Sequence, residues 1–121
     1  MITYQSFQEW LNRLKNVWET RNPDGAINLC ADKFLWFETP FLKPYSTKEQ
    51  LLKEWETVLS QKDISVSYKI LSISGNSCIA HWHATFIRIP SGIKAILDGI
   101  YQVDLDDQGK CVEFHQWYNS K

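Results

Sequence analysis

The first part of the chain carries a hydrophobic pattern of helical period. Large apolar residues recur at Phe7, Trp10, Leu11, Leu14, Val17 and Trp18. Because this spacing places them on one face, it predicts an amphipathic helix of about four turns. Residues 21–25 include Pro23 and Gly25 and should end that helix, and a short helix is expected over residues 25–30.

A brief strand and another helix are predicted next. Residues 34–37 form a short apolar run that ends before Pro40, which is typical of a strand. Ser46 and Glu49 have the spacing of a capping box, in which a hydroxyl and a carboxylate bond free amides at a helix start. The buried face of this helix is predicted to contain Leu51, Leu52, Trp55, Val58 and Leu59.

The second half of the chain alternates between apolar and polar residues, as strands do. One strand is predicted around residues 64–70, and three more over residues 77–89, 94–105 and 110–118. Helices followed by antiparallel strands predict an α+β fold, a single domain of residues 1–121 with its helices on one face of the sheet.

The last three strands predict a register and a pocket. If residues 90–93 and 106–109 are four-residue loops, three rows share one face. The rows are Trp82 with Tyr101 and Phe114, Ala84 with Gly99 and Gln116, and Phe86 with Leu97 and Tyr118. Small side chains beside an aromatic row leave space above the sheet, so we expect a small-molecule pocket with Ala84, Gly99 and the Gln116 amide in its floor.

Several segments resemble a known family. They are Trp18 near the end of the first helix and the stretches FETPF (37–41), AHWHA (80–84), LDGI (97–100) and FHQWY (114–118). Together with the order of elements they are similar to the SnoaL-like branch of the nuclear transport factor 2-like superfamily. The resemblance implies a helix-lined cone over a curved antiparallel sheet. It implies little about activity, because members include isomerases, cyclases, dehydratases, epoxide hydrolases and non-catalytic binding or assembly domains.

The resemblance to ketosteroid isomerase, one member of that superfamily, implies specific site positions. The place of its general base, just before the proline that closes the first strand, is Thr39, whose hydroxyl is no base near neutral pH. The place of one oxyanion donor is Tyr101, which can donate a hydrogen bond, and the first helix, as predicted from Phe7 to Trp18, offers no tyrosine for the second. Steroid isomerisation is therefore disfavoured.

Three functions remain open at the level of the sequence. In an isomerase, cyclase, hydratase or dehydratase, Glu38 would be the acid or base, and Tyr101 and Gln116 the hydrogen-bond donors. In a binding protein the same donors would only orient a ligand, and in an assembly domain the cone would be filled. The alternative for Glu38 is a structural bond to backbone or an indole N–H, with its side chain behind the pocket. The alternative for Gln116 is a bond to Tyr118, Thr39 or water.

Other candidate ligand contacts have equally plausible structural roles. Trp55, Tyr68, Trp82 and Tyr101 could line a pocket or simply fill the core. Arg88 points inward by parity and could meet an anionic ligand, or it could extend into water.

The composition argues against nucleic acid and membranes as partners. Thirteen basic and fourteen acidic residues give a net charge of −1, without a basic patch for nucleic acid or an anionic membrane. No segment has the length and hydropathy of a signal or a membrane span, and the three dispersed cysteines fit neither disulfides nor structural zinc. We expect a cytoplasmic protein without a cofactor.

The outer face of the predicted sheet carries histidines and isoleucines. The predicted register aligns His83, Ile100 and His115, but two histidines a full strand apart, roughly 9.5 Å, are too distant for one metal ion. No metal site is predicted. The isoleucines that share this face, Ile79, Ile87, Ile89, Ile96 and Ile100, favour a homodimer through it.

Overall fold

The structure, a computed structural model, describes residues 2–121. Its helices are α1 (Tyr4–Glu19), α2 (Pro23–Ile27) and α3 (Lys48–Trp55), and a 3₁₀ turn (Glu56–Ser60) follows α3. Its strands are β1 (Cys30–Phe37), β2 (Gln61–Ser74), β3 (Ser77–Arg88), β4 (Lys94–Leu105) and β5 (Cys111–Ser120). The predicted α+β class is confirmed.

Hydroxyl side chains cap both long helices. Thr3 accepts from the backbone N–H of Ser6, and the Ser6 hydroxyl accepts from the Thr3 N–H. At α3 the reciprocal pair is Thr47 and Gln50. The prediction that Ser46 and Glu49 form this cap is wrong by one residue, because Thr47 is the last residue with extended backbone before the helix.

The five strands form one sheet in the order β1-β5-β4-β3-β2. The β5-β4, β4-β3 and β3-β2 pairs are antiparallel, and β1 runs parallel to β5. Helix α1 packs on the inner face of this sheet, where Trp10 approaches Phe114 and Trp18 approaches Trp82. The core thus lies between the helices and one face of the sheet, which fits the alternating burial of β3.

The predicted register of the last three strands is wrong by two residues. Trp82 pairs with Gly99, and Tyr101 pairs with Gln116. The first loop is residues 89–92, closed by a bond from the Arg88 N–H to the Ile93 carbonyl. It therefore begins one residue earlier than expected. At the second loop, Leu105 pairs with Cys111 beside a bulge. Since a shift of two keeps side-chain parity, the same residues face inward, but their neighbours change.

The register change removes the predicted pocket floor. Ala84 pairs with Leu97 and is fully buried. Gly99 faces Tyr118 so closely that a Cβ atom there would lie 2.0 Å from the Trp117 carbonyl oxygen. Gly99 therefore allows β5 to approach β4, and it leaves no open space above itself.

Candidate functional site

A cavity of about 280 Å³ lies between the inner face of the sheet and the α1 and α3 helices. Much of its wall is aromatic: Trp18, Trp36, Trp55, Trp82, Phe86, Tyr101, Phe114 and Tyr118. The charged and amide side chains in the wall are Glu38, Glu54, Gln61, Arg88 and Gln116. A mainly apolar wall with a few polar groups is the usual composition of a small-molecule site.

Stacked aromatic rings shape the interior of the cavity. Trp82 lies parallel to Tyr101 at 4.9 Å between ring centroids, and Trp36 is stacked on Phe114 at 3.9 Å. Tyr118 packs edge-on against Trp82 and is 46% exposed, so it lies where the cavity meets solvent. The stacked rings fix the shape of the interior, since each ring restricts the rotamers of its neighbour.

Glu38 places its carboxylate in this cavity. It follows the last residue of β1, and its side chain shares the inward parity of Trp36. The indole N–H of Trp36 donates to Oε2 at 2.9 Å, and the Gln116 amide donates to Oε1 at 2.8 Å. The same amide donates to the Glu38 carbonyl oxygen at 3.1 Å. Each carboxylate oxygen therefore has a fixed donor.

Burial raises the pKa of Glu38 to about 7. The cost of removing the ionised form from water exceeds the stabilisation by the Trp36 and Gln116 donors, and the negative charge of Glu54 adds to the upward shift. A carboxyl group with this pKa exists near neutral pH in both protonation states. It can therefore accept a proton and return it.

Glu54 and Tyr45 lie next to Glu38. The hydroxyl of Tyr45 donates to Glu54 Oε2 at 3.1 Å, and backbone bonds between Tyr45 and Trp36 hold the loop after β1 against that strand. Burial, with the nearby Glu54 carboxylate, raises the pKa of Tyr45 to about 12. Tyr45 thus remains a hydrogen-bond donor to Glu54 at any pH near neutrality.

Tyr101 is buried and lines the cavity. Burial raises the pKa of its phenol well above the usual range, and the Glu38 charge adds to this shift. A phenol of this kind stays protonated and can only donate or accept a hydrogen bond. Trp82, stacked on Tyr101, has a buried indole N–H with no partner among residues 2–121.

The structure brings together seven of the predicted site residues: Glu38, Trp55, Trp82, Tyr101, Phe114, Gln116 and Tyr118. Gln116 bonds to Glu38, which was not among its predicted partners. The structural alternative for Glu38 is correct in one part, since an indole N–H, that of Trp36, does bond its carboxylate. Its other part, a side chain behind the pocket, is wrong, because Phe34 and Trp36 are themselves buried inside.

Four predicted pocket residues lie outside the cavity wall: Thr39, Tyr68, Ala84 and Gly99. The Thr39 hydroxyl accepts from the Phe41 N–H within its own turn. Tyr68 extends toward α1, where its hydroxyl donates to Asn12 at 2.6 Å. The carboxylate that β1 brings to the cavity is therefore that of Glu38, one residue before the position that the ketosteroid isomerase resemblance implied.

A second carboxylate, that of Glu54, also lines the cavity and was not among the predicted site residues. A sequence signal for Glu54 exists. It lies three residues after Leu51 and four before Val58, both buried, so helical spacing places it on the inner face of α3.

The outer face of the sheet holds a different polar cluster. Asp98 accepts from His81 Nε2 at 2.7 Å and from His83 Nδ1 at 2.9 Å, and His115 bonds Glu113 at 2.8 Å. His83 faces Asp98, and the predicted row with Ile100 and His115 does not form. Within residues 2–121 no group of three metal-ligating side chains is arranged to hold an ion. In the same range, no helix is long and apolar enough to cross a membrane.

Comparisons with known proteins agree on the fold. A model of the SnoaL-like domain matches residues 11–114. A comparison with curated proteins found no match.

Three solved structures are similar to this chain. An epoxide hydrolase/cyclase-like enzyme, SalBIII, with a role in pyran ring formation in the polyether salinomycin, is 10% identical with a TM-score of 0.84, over 98% of this chain and 95% of that one. A candidate isomerase from Bacillus subtilis is 14% identical with a TM-score of 0.83, and the match covers 98% of this chain and 90% of that one. An NTF2-like protein of unknown function from Exiguobacterium sp. 255-15 is 17% identical with a TM-score of 0.75, over 91% and 98%. At these identities the likeness establishes the fold alone.

Proposed function

This chain belongs to the SnoaL-like family, as its sequence predicted, and we propose that it is a cofactor-independent enzyme that performs acid–base chemistry on a small, largely apolar molecule in its cavity. One observation carries the proposal: the Glu38 carboxylate lies in the cavity wall with Tyr101, each oxygen held by a donor. A protein that only bound an apolar ligand would have no need of a half-buried carboxylate there, since its desolvation costs free energy.

The chemistry that fits best is an isomerisation by proton transfer next to a carbonyl group. Ionised Glu38 removes a proton from the adjacent carbon, and the electron pair of the broken C–H bond moves to form an enolate. The Tyr101 hydroxyl donates a hydrogen bond to the enolate oxygen. Protonated Glu38 then returns the proton to another carbon of the conjugated system, which restores the carboxylate.

Gln116 and Trp36 are positioning residues in this scheme. Their hydrogen bonds fix both oxygens of Glu38 and so select which carbon the carboxylate can reach. Glu54 and Tyr45 act on Glu38 without donating a hydrogen bond to it. The Glu54 charge raises the pKa of Glu38, and Tyr45 holds Glu54 in place.

Proton exchange on a simple ketone tests this function. In D2O, the protein should accelerate deuterium exchange at the carbon next to the carbonyl of 2-tetralone, as followed by ¹H NMR. The Glu38→Gln variant should lose roughly 100-fold or more of the acceleration, the range for removal of a general base. Glu49→Gln, on the exposed side of α3, is the matched control. Equal exchange by the wild type and Glu38→Gln would refute the proposal.

We also propose that two copies associate through the outer face of the sheet. Ile79, Ile87, Ile96 and Ile100 are half-buried there, and Trp117 is 41% exposed. Ile89, predicted on this face, lies in the loop after β3. A second copy is the natural cover for such a surface, because helix α1 packs on the opposite face.

Light scattering tests this association. Ile100→Lys should shift the protein toward monomer, because it places a charge in the interface. Leu59→Lys changes an exposed leucine outside the sheet and should leave the mass unchanged. A monomeric wild type would rule out the dimer.

A further inference from the structure

The cavity has opposite charges toward its two ends. Glu38 and Glu54 lie together at one end, where Glu54 raises the pKa of Glu38 by charge repulsion. Arg88 is the only cation among the described residues that line the cavity. Within residues 2–121 its guanidinium forms no salt bridge.

The strand register separates these charges. Gln116, the partner of Glu38, pairs with Tyr101, and Tyr101 pairs with Ala80 of β3. Arg88 is the last residue of β3, whereas Ala80 lies near the start of that strand. Arg88 pairs with Gln61, which follows the 3₁₀ turn, whereas Glu54 lies before that turn. The positions along β3 and the positions along the segment from α3 to β2 therefore both place Arg88 and Gln61 at the opposite end of the cavity from Glu38 and Glu54.

Arg88 is exposed at the end of β3, and its guanidinium lies over an aromatic ring of the cavity wall. Its guanidinium carbon lies 5.2 Å from the centroid of the Phe86 ring, and Phe86 itself lines the cavity. A guanidinium that stacks on an aromatic face keeps its N–H groups available for an oxygen anion at the ring edge.

Gln61 adds a neutral donor at the same end. The indole N–H of Trp18 donates to Gln61 Oε1 at 2.8 Å, which fixes the amide and identifies the other amide atom as nitrogen. Within residues 2–121 that NH₂ group makes no hydrogen bond, and Gln61 lines the cavity beside Arg88. A fixed amide donor beside a guanidinium is suited to a carboxylate.

We propose that the molecule in the cavity carries a carboxylate, which binds Arg88 and Gln61 while the uncharged end of the molecule lies against Glu38. The reverse orientation is disfavoured, because it would place the carboxylate beside Glu38 and Glu54. The identity of the reacting end rests on the proposed function, but the anion site at Arg88 stands without it.

A pair of matched probes tests the anion site. 2-Naphthoate and 2-naphthamide have nearly the same shape and differ in charge, and quenching of the tryptophans in the cavity wall reports their binding. The wild type should bind naphthoate more tightly than naphthamide. Arg88→Met should weaken naphthoate binding by about fivefold to twentyfold and leave naphthamide binding nearly unchanged, as expected for loss of one partly solvated charge-assisted contact.

Two control variants isolate the role of Arg88. Lys94→Met removes a neighbouring cation outside the cavity and should leave both affinities unchanged. Arg88→Lys keeps the charge and should retain part of the naphthoate preference. Thermal melting checks that each variant is folded.

Three results would overturn the inference: equal binding of the two probes by the wild type, equal weakening of both by Arg88→Met, or no binding of either at millimolar concentration. Naphthoate binding by the Glu38→Gln variant separates this inference from the proposed function. If that variant keeps the Arg88-dependent preference while the wild type exchanges no ketone proton, the anion site holds and the acid–base function fails.

Discussion

Glu38 on the inner face of the sheet and Asp98 on the outer face each accept hydrogen bonds from two side chains, but their pKa values are shifted in opposite directions. Glu38 accepts from two side-chain donors, Trp36 and Gln116, and Asp98 accepts from His81 and His83. Yet the pKa of Glu38 is raised to about 7, whereas hydrogen bonds from His81 and then His83 lower the pKa of Asp98.

The difference between these carboxylates comes from water. Asp98 stays exposed, so its ionised form keeps its hydration and gains the histidine bonds. Glu38 loses hydration in the cavity, and two neutral donors do not replace it. The count of hydrogen bonds therefore does not predict which carboxylate can exchange protons near neutral pH. Solvent access does.

The pH dependence of stability should show this contrast most strongly. In the folded protein Glu38 has a pKa of about 7, above the 4.5 of the exposed group. Between those values the folded state holds a proton that the unfolded state has lost, so the free energy of unfolding falls as pH rises from 4.5 to 7. The shift corresponds to roughly 3 kcal/mol as an upper limit.

Urea denaturation across that pH range measures the effect. The Glu38→Gln variant should lose this component of the slope, because its side chain does not titrate. Glu49→Gln removes an exposed carboxyl group that contacts no histidine, and it should keep the wild-type slope between pH 5 and 7. Parallel curves for the wild type and Glu38→Gln would show that Glu38 is not desolvated.

The two carboxylates also differ in how well the sequence predicted them. Helical periodicity located α1 and α3, and strand alternation assigned the faces of β3 and β4 correctly, because the register error of two residues preserved parity. That is why Trp82, Tyr101 and Gln116 were expected inside.

Periodicity could not predict the register between strands, because the register depends on where each loop begins and ends. Residues 89–92 and 90–93 are equally acceptable four-residue loops by composition, and only the bond between Arg88 and Ile93 distinguishes them. Asp98 illustrates the consequence. Its place between His81 and His83 follows from the observed register, and no sequence pattern indicated that cluster.

Loss of the Gln116 amide should change the titration of Glu38 less than the Glu38→Gln substitution does, because that substitution abolishes the titration. Gln116→Met removes the hydrogen bonds to Glu38 Oε1 and to its carbonyl oxygen. Because the bond to Oε1 favours the ionised form, its removal should raise the pKa of Glu38 above 7, by a fraction of a unit, since this bond influences the pKa less than the Glu54 charge does. The midpoint of the pH profile for 2-tetralone exchange should move to higher pH by that amount.

Thr39→Val is the matched control for Gln116→Met. Thr39 adjoins Glu38 in the chain but lies outside the cavity wall, so its loss should leave the midpoint unchanged. If Gln116→Met lowers the maximal exchange rate but leaves the midpoint pH unchanged, Gln116 orients Glu38 and does not affect its pKa.

Removal of the neighbouring charge should move the pKa of Glu38 in the opposite direction. Glu54→Gln keeps the shape of the side chain and removes the negative charge that helps to raise the pKa of Glu38. Since burial is the larger cause, the pKa should fall by less than about one unit and stay well above 4.5. Glu49→Gln removes an equal charge from the exposed side of the same helix and should have no effect. The exchange profile of 2-tetralone measures both. If Glu54→Gln returned the midpoint to that of an exposed carboxyl group, repulsion between two carboxylates would explain the proton affinity of Glu38, and the contrast with Asp98 would not rest on solvent access.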